Sequence, residues 1–148
     1  MINSNIKIVG DLRVVLKDSE GKIKEEREIN NLVVSTGLAF IASRMKDTTD
    51  DAMSYMGVGT STTAAAAGDT TLGTEIDRNA LTSTTVSSNT ITYVANWAAG
   101  DGTGAITEAG LFNAASAGTM LARTVFDVIN KSANDSLSIT WTVTLSAS

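Results

Sequence analysis

The chain has no cysteine, no histidine and no proline among its 148 residues, and each absence closes a class of structure or function. Without cysteine there are no disulfides and no thiolate metal sites, and the redox compartment stays open. Without histidine the usual general base near neutral pH is missing, together with the commonest metal ligand. Without proline, sheet edges are not blocked in that way and stay able to accept a neighbouring strand. No apolar run approaches the roughly 20 residues that cross a bilayer. The opening "MINSNIKIVGDLRVV" lacks the charged-then-apolar layout of a signal peptide. A soluble protein made in a cytoplasm, without a membrane partner, is therefore expected.

Positive charge is scarce in most of the chain. Residues 1–50 hold eight basic and eight acidic side chains, whereas residues 51–148 hold only Arg78, Arg123 and Lys131 against eight acidic ones. A duplex binder needs clustered lysine and arginine to neutralise phosphates, so no nucleic-acid partner is expected.

What is present suits one globular domain: 43% of the residues are apolar, enough for a core in a chain of this length. Residues 6–28 read as an extended arm. "IKIVG" and "LRVVLKD" are β-rich, "DSEGK" (Asp18 to Lys22) has turn composition, and "KIKEEREIN" is a half-exposed return strand with cross-strand ion pairs. In "NNLVVSTGLAFIASRMKD", Ser35 or Thr36 is a candidate helix cap. Leu38, Ile41, Ala42 and Met45 fall at helical spacing, with Arg44 and Lys46 in the last turn.

From Met53 onward the texture changes to Ser, Thr, Gly and Ala with spaced apolar residues. "MSYMGVG" reads as a strand and "TSTTAAAAGDTTLG" as a long loop. In "NTITYVANW", Ile91, Tyr93, Ala95 and Trp97 share one face. In "SLSITWTVTL", Leu137, Ile139, Trp141, Val143 and Leu145 share one face and a ladder of hydroxyls the other. That period of two predicts strands with one buried face. The expected fold is mostly β: an antiparallel sandwich-like domain over residues 31–148 with one short packed helix near 36–46, preceded by a β-hairpin arm over residues 1–30.

Motifs for chemistry are sparse. "GVGTST" (Gly57 to Thr62) and "GDGTG" (Gly100 to Gly104) complete neither a P-loop nor a dinucleotide fingerprint, and tight turns with positive φ explain them better. "DTTDD" (Asp47, Asp50, Asp51) lacks the spacing of a calcium loop and reads as a solvated loop. No serine sits in a nucleophile elbow, and the acid pair Asp101 with Glu108 rests on proximity alone. No catalytic residue, metal ligand or cofactor is expected. Glu108 and Arg123 remain. If "AITEAGLF" and "TMLARTVF" are adjacent antiparallel strands, the two sit at similar distances from the turn "NAASAG", placed to face each other as a bidentate structural ion pair.

The run from Met53 to Leu145 resembles the N-terminal domain of phage tail-collar fibre proteins. In that family a "GxGxxx…ALxxEhxR" segment (h apolar) leads to an "I-x-E-h-G-L-F-[DN]" signature. Leu72, Glu75 and Arg78 match the first; Ile106, Glu108, Gly110, Leu111, Phe112 and Asn113 match the second. The resemblance implies a non-enzymatic virion structural module that fastens to other phage proteins. No shaft or receptor-binding tip follows, and an arm and a helix precede, so the chain also looks similar to capsid decoration (cement) proteins. A tail-fibre, neck or baseplate adaptor is the alternative, and a carbohydrate-binding module the competitor from another class. The implied partners are the major capsid protein or other virion proteins and further copies of the chain, as a dimer or trimer. The charged arm is the expected contact region, and the implied location is the virion.

Overall fold

The computed structural model describes residues 5–46 and 50–147. In chain order the elements are β1 (Ile6–Lys17), β2 (Ile23–Asn30), β3 (Leu32–Val33), α1 (Ser35–Ser43), β4 (Tyr55–Gly59), β5 (Glu75–Ala80), β6 (Ser83–Ser87), β7 (Thr90–Trp97), β8 (Gly104–Phe112), β9 (Met120–Lys131) and β10 (Ser136–Ala147). They form two five-stranded antiparallel sheets. Sheet A runs β2-β1-β10-β7-β6 and sheet B runs β3-β9-β8-β4-β5.

The period-two strands supply the core. Leu137, Ile139, Trp141 and Val143 of β10 and Tyr93, Ala95 and Trp97 of β7 are buried, and they pack against Met56, Val58, Ile106, Leu111, Leu121 and Ile129 of sheet B. Two apolar faces closed on each other make a sandwich. Each large side chain so buried contributes roughly 1.5–3 kcal/mol before conformational entropy is subtracted.

The N-terminal hairpin forms, with Asp18 at its turn: Gly21 N–H donates to Asp18 O, and Asp18 Oδ1 accepts from the amides of Glu20 and Lys22. It is not an arm, however. β1 lies inside sheet A and pairs with β10 from Ile6↔Ala147 to Lys17↔Ser136. Leu12, Val14 and Leu16 belong to the core. The reason is alternation within "LRVVL", which gives β1 an apolar face as continuous as that of β10. The solvated charge lies on β2 and on the outward face of β1, joined by pairs such as Arg13–Glu26.

The helix is shorter than the 36–46 expectation and uses a different face. Its N-cap is Val34, without a side-chain cap, and the cap residue at its other end is Arg44. Ser35 instead donates its amide to Ala67 O, and Thr36 Oγ1 donates to Met120 O. Leu38 and Met45 are 49% and 89% exposed, so of the expected stripe Ile41 packs inward, beside Gly37 and Phe40. Gly37 is needed there because a Cβ would stand 2.0 Å from Leu121 O. Close approach of helix to sheet, not apolar bulk, sets the packing.

At the β9–β10 turn, buried Asp135 accepts from Lys24 Nζ and from the Ser132 amide, each at 2.9 Å. The hydrogen bond from Lys24, followed by that from the Ser132 amide, lowers its pKa from 3.8 to about 2. A depressed carboxylate stabilises the fold above its unfolded pKa, and the contribution is lost as pH falls through the folded one. Stability should therefore decline between about pH 4 and pH 2. Asp135→Asn should flatten that part of a chemical-denaturation profile measured against pH.

Candidate functional site

The residues singled out in the sequence meet on the outer face of sheet B, the side turned away from the core. Register puts Arg78, Gly57, Gly110 and Arg123 side by side across β5, β4, β8 and β9, and Glu75, Gly59 and Glu108 in the next row. Glycines in the middle of both rows leave a trough. A Cβ on Gly57 would lie 2.5 Å from Glu75 Oε2 and 3.3 Å from Leu72 Cδ1. One on Gly59 would lie 2.3 Å from Thr74 O and 2.4 Å from Glu108 Oε1, and one on Gly110 2.9 Å from Leu72 Cδ2. Gly57 and Gly59 thus serve close approach within a strand, not the positive-φ turn expected for "GVGTST". The positive angles occur in "GDGTG", at Gly100, Gly102 and Gly104.

Into this trough folds the segment 60–74. Leu72 seats over the glycines, where it packs with Val34, Phe112 and Met120 in a second small core. Glu108, with no exposed surface, accepts the Thr74 amide on Oε1 at 2.7 Å, with the Ser61 amide at 3.3 Å. Its Oε2 accepts the Gly73 amide at 2.9 Å. Arg123 Nε and Nη2 donate to the same Oε2 at 3.0 and 2.9 Å. Arg123 also reaches outward, with Nη1 to Asp69 Oδ2 at 2.8 Å and Nη2 to Thr63 O at 3.0 Å. Asp69 accepts the Ala66 amide, and this bond together with Arg123 outweighs burial and lowers its pKa.

Glu108 and Arg123 are thus in contact, but diagonally: Gly110 stands opposite Arg123 and Val125 opposite Glu108. The guanidinium closes on one carboxylate oxygen because the other is occupied by loop amides. Five donors around a fully buried carboxylate fix a backbone and leave it no open side for a substrate. Asp101 lies elsewhere, in the exposed turn before β8.

A second latch lies beside the first. Arg78 donates Nε and Nη2 to Glu75 at 2.7 and 3.0 Å, and its Nη1 to Ala114 O and Ala117 O at 3.0 and 2.9 Å. Its guanidinium carbon stands 3.6 Å from the centre of the Phe112 ring. Asn113 Oδ1 accepts the Thr119 amide at 2.7 Å. The motif residues Leu72, Glu75, Arg78, Glu108, Gly110, Phe112 and Asn113 therefore share one physical task, the fastening of two loops to sheet B.

The remaining sequence candidates are dispersed. Asp47 lies outside the described residues, while Asp50 and Asp51 are exposed and their carbonyls accept from Arg44 Nη1 and Asn113 Nδ2. Among the described residues no group of three acidic side chains is placed to hold a metal ion.

Two surfaces escape the sequence reading in part. An apolar cleft of about 340 Å³ opens between α1 and sheet A, lined by Phe40, Ile41, Met53, Val86, Tyr93 and Leu145. Burial raises the pKa of Tyr93 against the opposing effect of Arg44, whose side chain also lines the cleft. The other surface is the outer face of sheet A. Register aligns Ser83, Val94 and Thr140, then Thr85, Thr92 and Thr142, then Ser87, Thr90 and Thr144. Eight of these nine residues carry hydroxyls, and Thr92 and Thr142 come within 3.4 Å of each other. The ladder on β10 was legible as alternation; its continuation onto β6 needed the pairing of strands.

Comparison of the chain with protein-family models, with curated proteins and with solved structures finds no match.

Proposed function

We propose that this chain is a non-enzymatic structural protein of a bacteriophage virion, a decoration protein that binds the major capsid shell. The observation that carries the assembly role is the hydroxyl grid on sheet A. It is an uncharged patch on β6, β7 and β10, bordered by Asp11 and Arg13 of β1, whose threonine methyls can pack against another protein surface while their hydroxyls hydrogen-bond to it. Its rigidity comes from the sandwich core beneath. The virion setting rests on the resemblance carried by the two latch motifs.

The charged centre at Glu108 and Arg123 is consumed in holding a loop, which supports the non-catalytic reading. The burial of Trp97 and Trp141, each with 0% exposure, removes the aromatic platforms on which a sugar-binding module would depend.

The test is the copy number of the chain per purified particle, by quantitative mass spectrometry against the major capsid protein. Near-equal stoichiometry is expected. Thr92→Arg with Thr142→Arg should leave the isolated protein folded and abolish incorporation. A copy number that is a small multiple of three or six would move the protein to the tail or neck, as the fibre adaptor. Absence from the particle would overturn both.

A further inference from the structure

We propose that β6 is a self-pairing edge, through which two copies of the chain join their A sheets into one continuous ten-stranded sheet. Exposed edges invite strand addition, and proteins blunt them with charge, bulges or brevity. β2 carries Lys24, Glu25, Glu26, Arg27 and Glu28, and its register shifts at Leu16/Lys17 of β1. β5 carries Glu75, Asp77 and Arg78 and is irregular against β4 at Val58/Gly59, while β3 is two residues long.

β6 carries neither charge nor a register shift. Its sequence is "STTVS", all five residues are exposed, and it pairs with β7 without a register shift. Every residue in it is Ser, Thr or Val, and Val86 is 69% exposed.

Backbone geometry selects the occupant. Ser87 and Thr90 flank the two-residue connection Ser88-Asn89, where Ser88 has φ 54, and such a pair exchanges hydrogen bonds across the hairpin. Alternation along an antiparallel ladder then aims the N–H and C=O groups of Thr85 at β7 and those of Thr84 and Val86 away from it. A twofold axis through Thr85 sets Thr84 of each copy against Val86 of the other. The four outward N–H groups meet four outward C=O groups, and all five residues overlap. No charge is brought opposite a like charge. Thr84 and Val86 line the apolar cleft, so pairing also covers the exposed valine with a threonine methyl. Ser83, Thr85 and Ser87 extend the hydroxyl grid unbroken from one copy to the next. Another protein's strand would gain the backbone bonds, but only a second copy gains this continuity.

An edge of five residues covers little area, so the dimer is concentration-dependent. The inference is independent of the virion reading, since particle copy number does not enter its test. Sedimentation velocity across a concentration series should show a monomer–dimer equilibrium for the wild type. Thr85→Lys, which sets two like charges together at the axis, should give monomer over the same range with an unchanged circular dichroism spectrum. Because the chain has no cysteine, Thr85→Cys offers a second readout: it should oxidise to a disulfide-linked dimer much faster than Thr63→Cys in the exposed loop. A wild type that is monomeric at every concentration, with no faster cross-linking of Thr85→Cys, would overturn the inference. So would a dimer that Thr85→Lys leaves intact.

Discussion

Arg123→Met should destabilise the protein by about 3–5 kcal/mol, because it leaves the Glu108 carboxylate buried without its counter-charge. Arg123 and Glu108 side chains are 3% and 0% exposed, so water cannot replace the lost guanidinium. The same substitution takes the donor from the Thr63 carbonyl and leaves Asp69 with the Ala66 amide alone. The effect should be read from equilibrium unfolding in urea. Glu108→Gln keeps one acceptor oxygen but turns an NH2 group on the donors at the other, either the Thr74 and Ser61 amides or the Gly73 amide and Arg123, so it should destabilise the protein as well. The two changes together should cost clearly less than their sum, as for residues in one network. An Arg123→Met variant within 1 kcal/mol of wild type would place the pair among exposed ion pairs, which contribute little, and would refute the latch.

Removal of residues 1–17 should abolish the native fold rather than trim an appendage. β1 lies between β2 and β10, and the core would lose Leu12, Val14 and Leu16. At roughly 1.5–3 kcal/mol for each buried side chain, the loss rivals the 5–15 kcal/mol by which a typical domain is stable. β10 would also present a fresh unpaired edge along twelve residues. Insoluble expression, or a soluble product without cooperative thermal unfolding, is expected. A truncated chain with a wild-type melting curve would restore the detachable arm.

The contrast between β1 and β10 shows what made parts of this fold legible. Both alternate, but the alternation of β10 is uninterrupted, whereas Val14 and Val15 are adjacent and both buried. The charge of the hairpin lies on β2 and on the outward face of β1 (Lys7, Asp11, Arg13 and Lys17), and it colours the whole segment as solvated. The helix stripe misled for a related reason. A pattern search weighs Leu38 and Met45 heavily, yet the contact is made where Gly37 lets the backbone touch β9. β5 and β6 carry no alternating apolar residues, since each is an edge with little to bury.

The latch was half visible. Equal distances from a turn bring Glu108 and Arg123 into reach, and that much is local geometry. Asp69 and the amides of Ser61, Gly73 and Thr74 come from a loop without periodicity, whose course is set by a trough of glycines on three different positions of two strands. Nothing in a linear pattern reports that Gly57 and Gly110 adjoin.

One buried carboxylate fixes a loop to sheet B, and amide hydrogen exchange tests that most directly. Gly73 and Thr74 lie in a connection with exposed neighbours, where free amides would exchange within seconds to minutes. If Glu108 holds them, both should be protected to a degree comparable with β8 and β9 in the wild type and lose protection selectively in Glu108→Ala. Unprotected Gly73 and Thr74 amides in the intact protein would contradict the account.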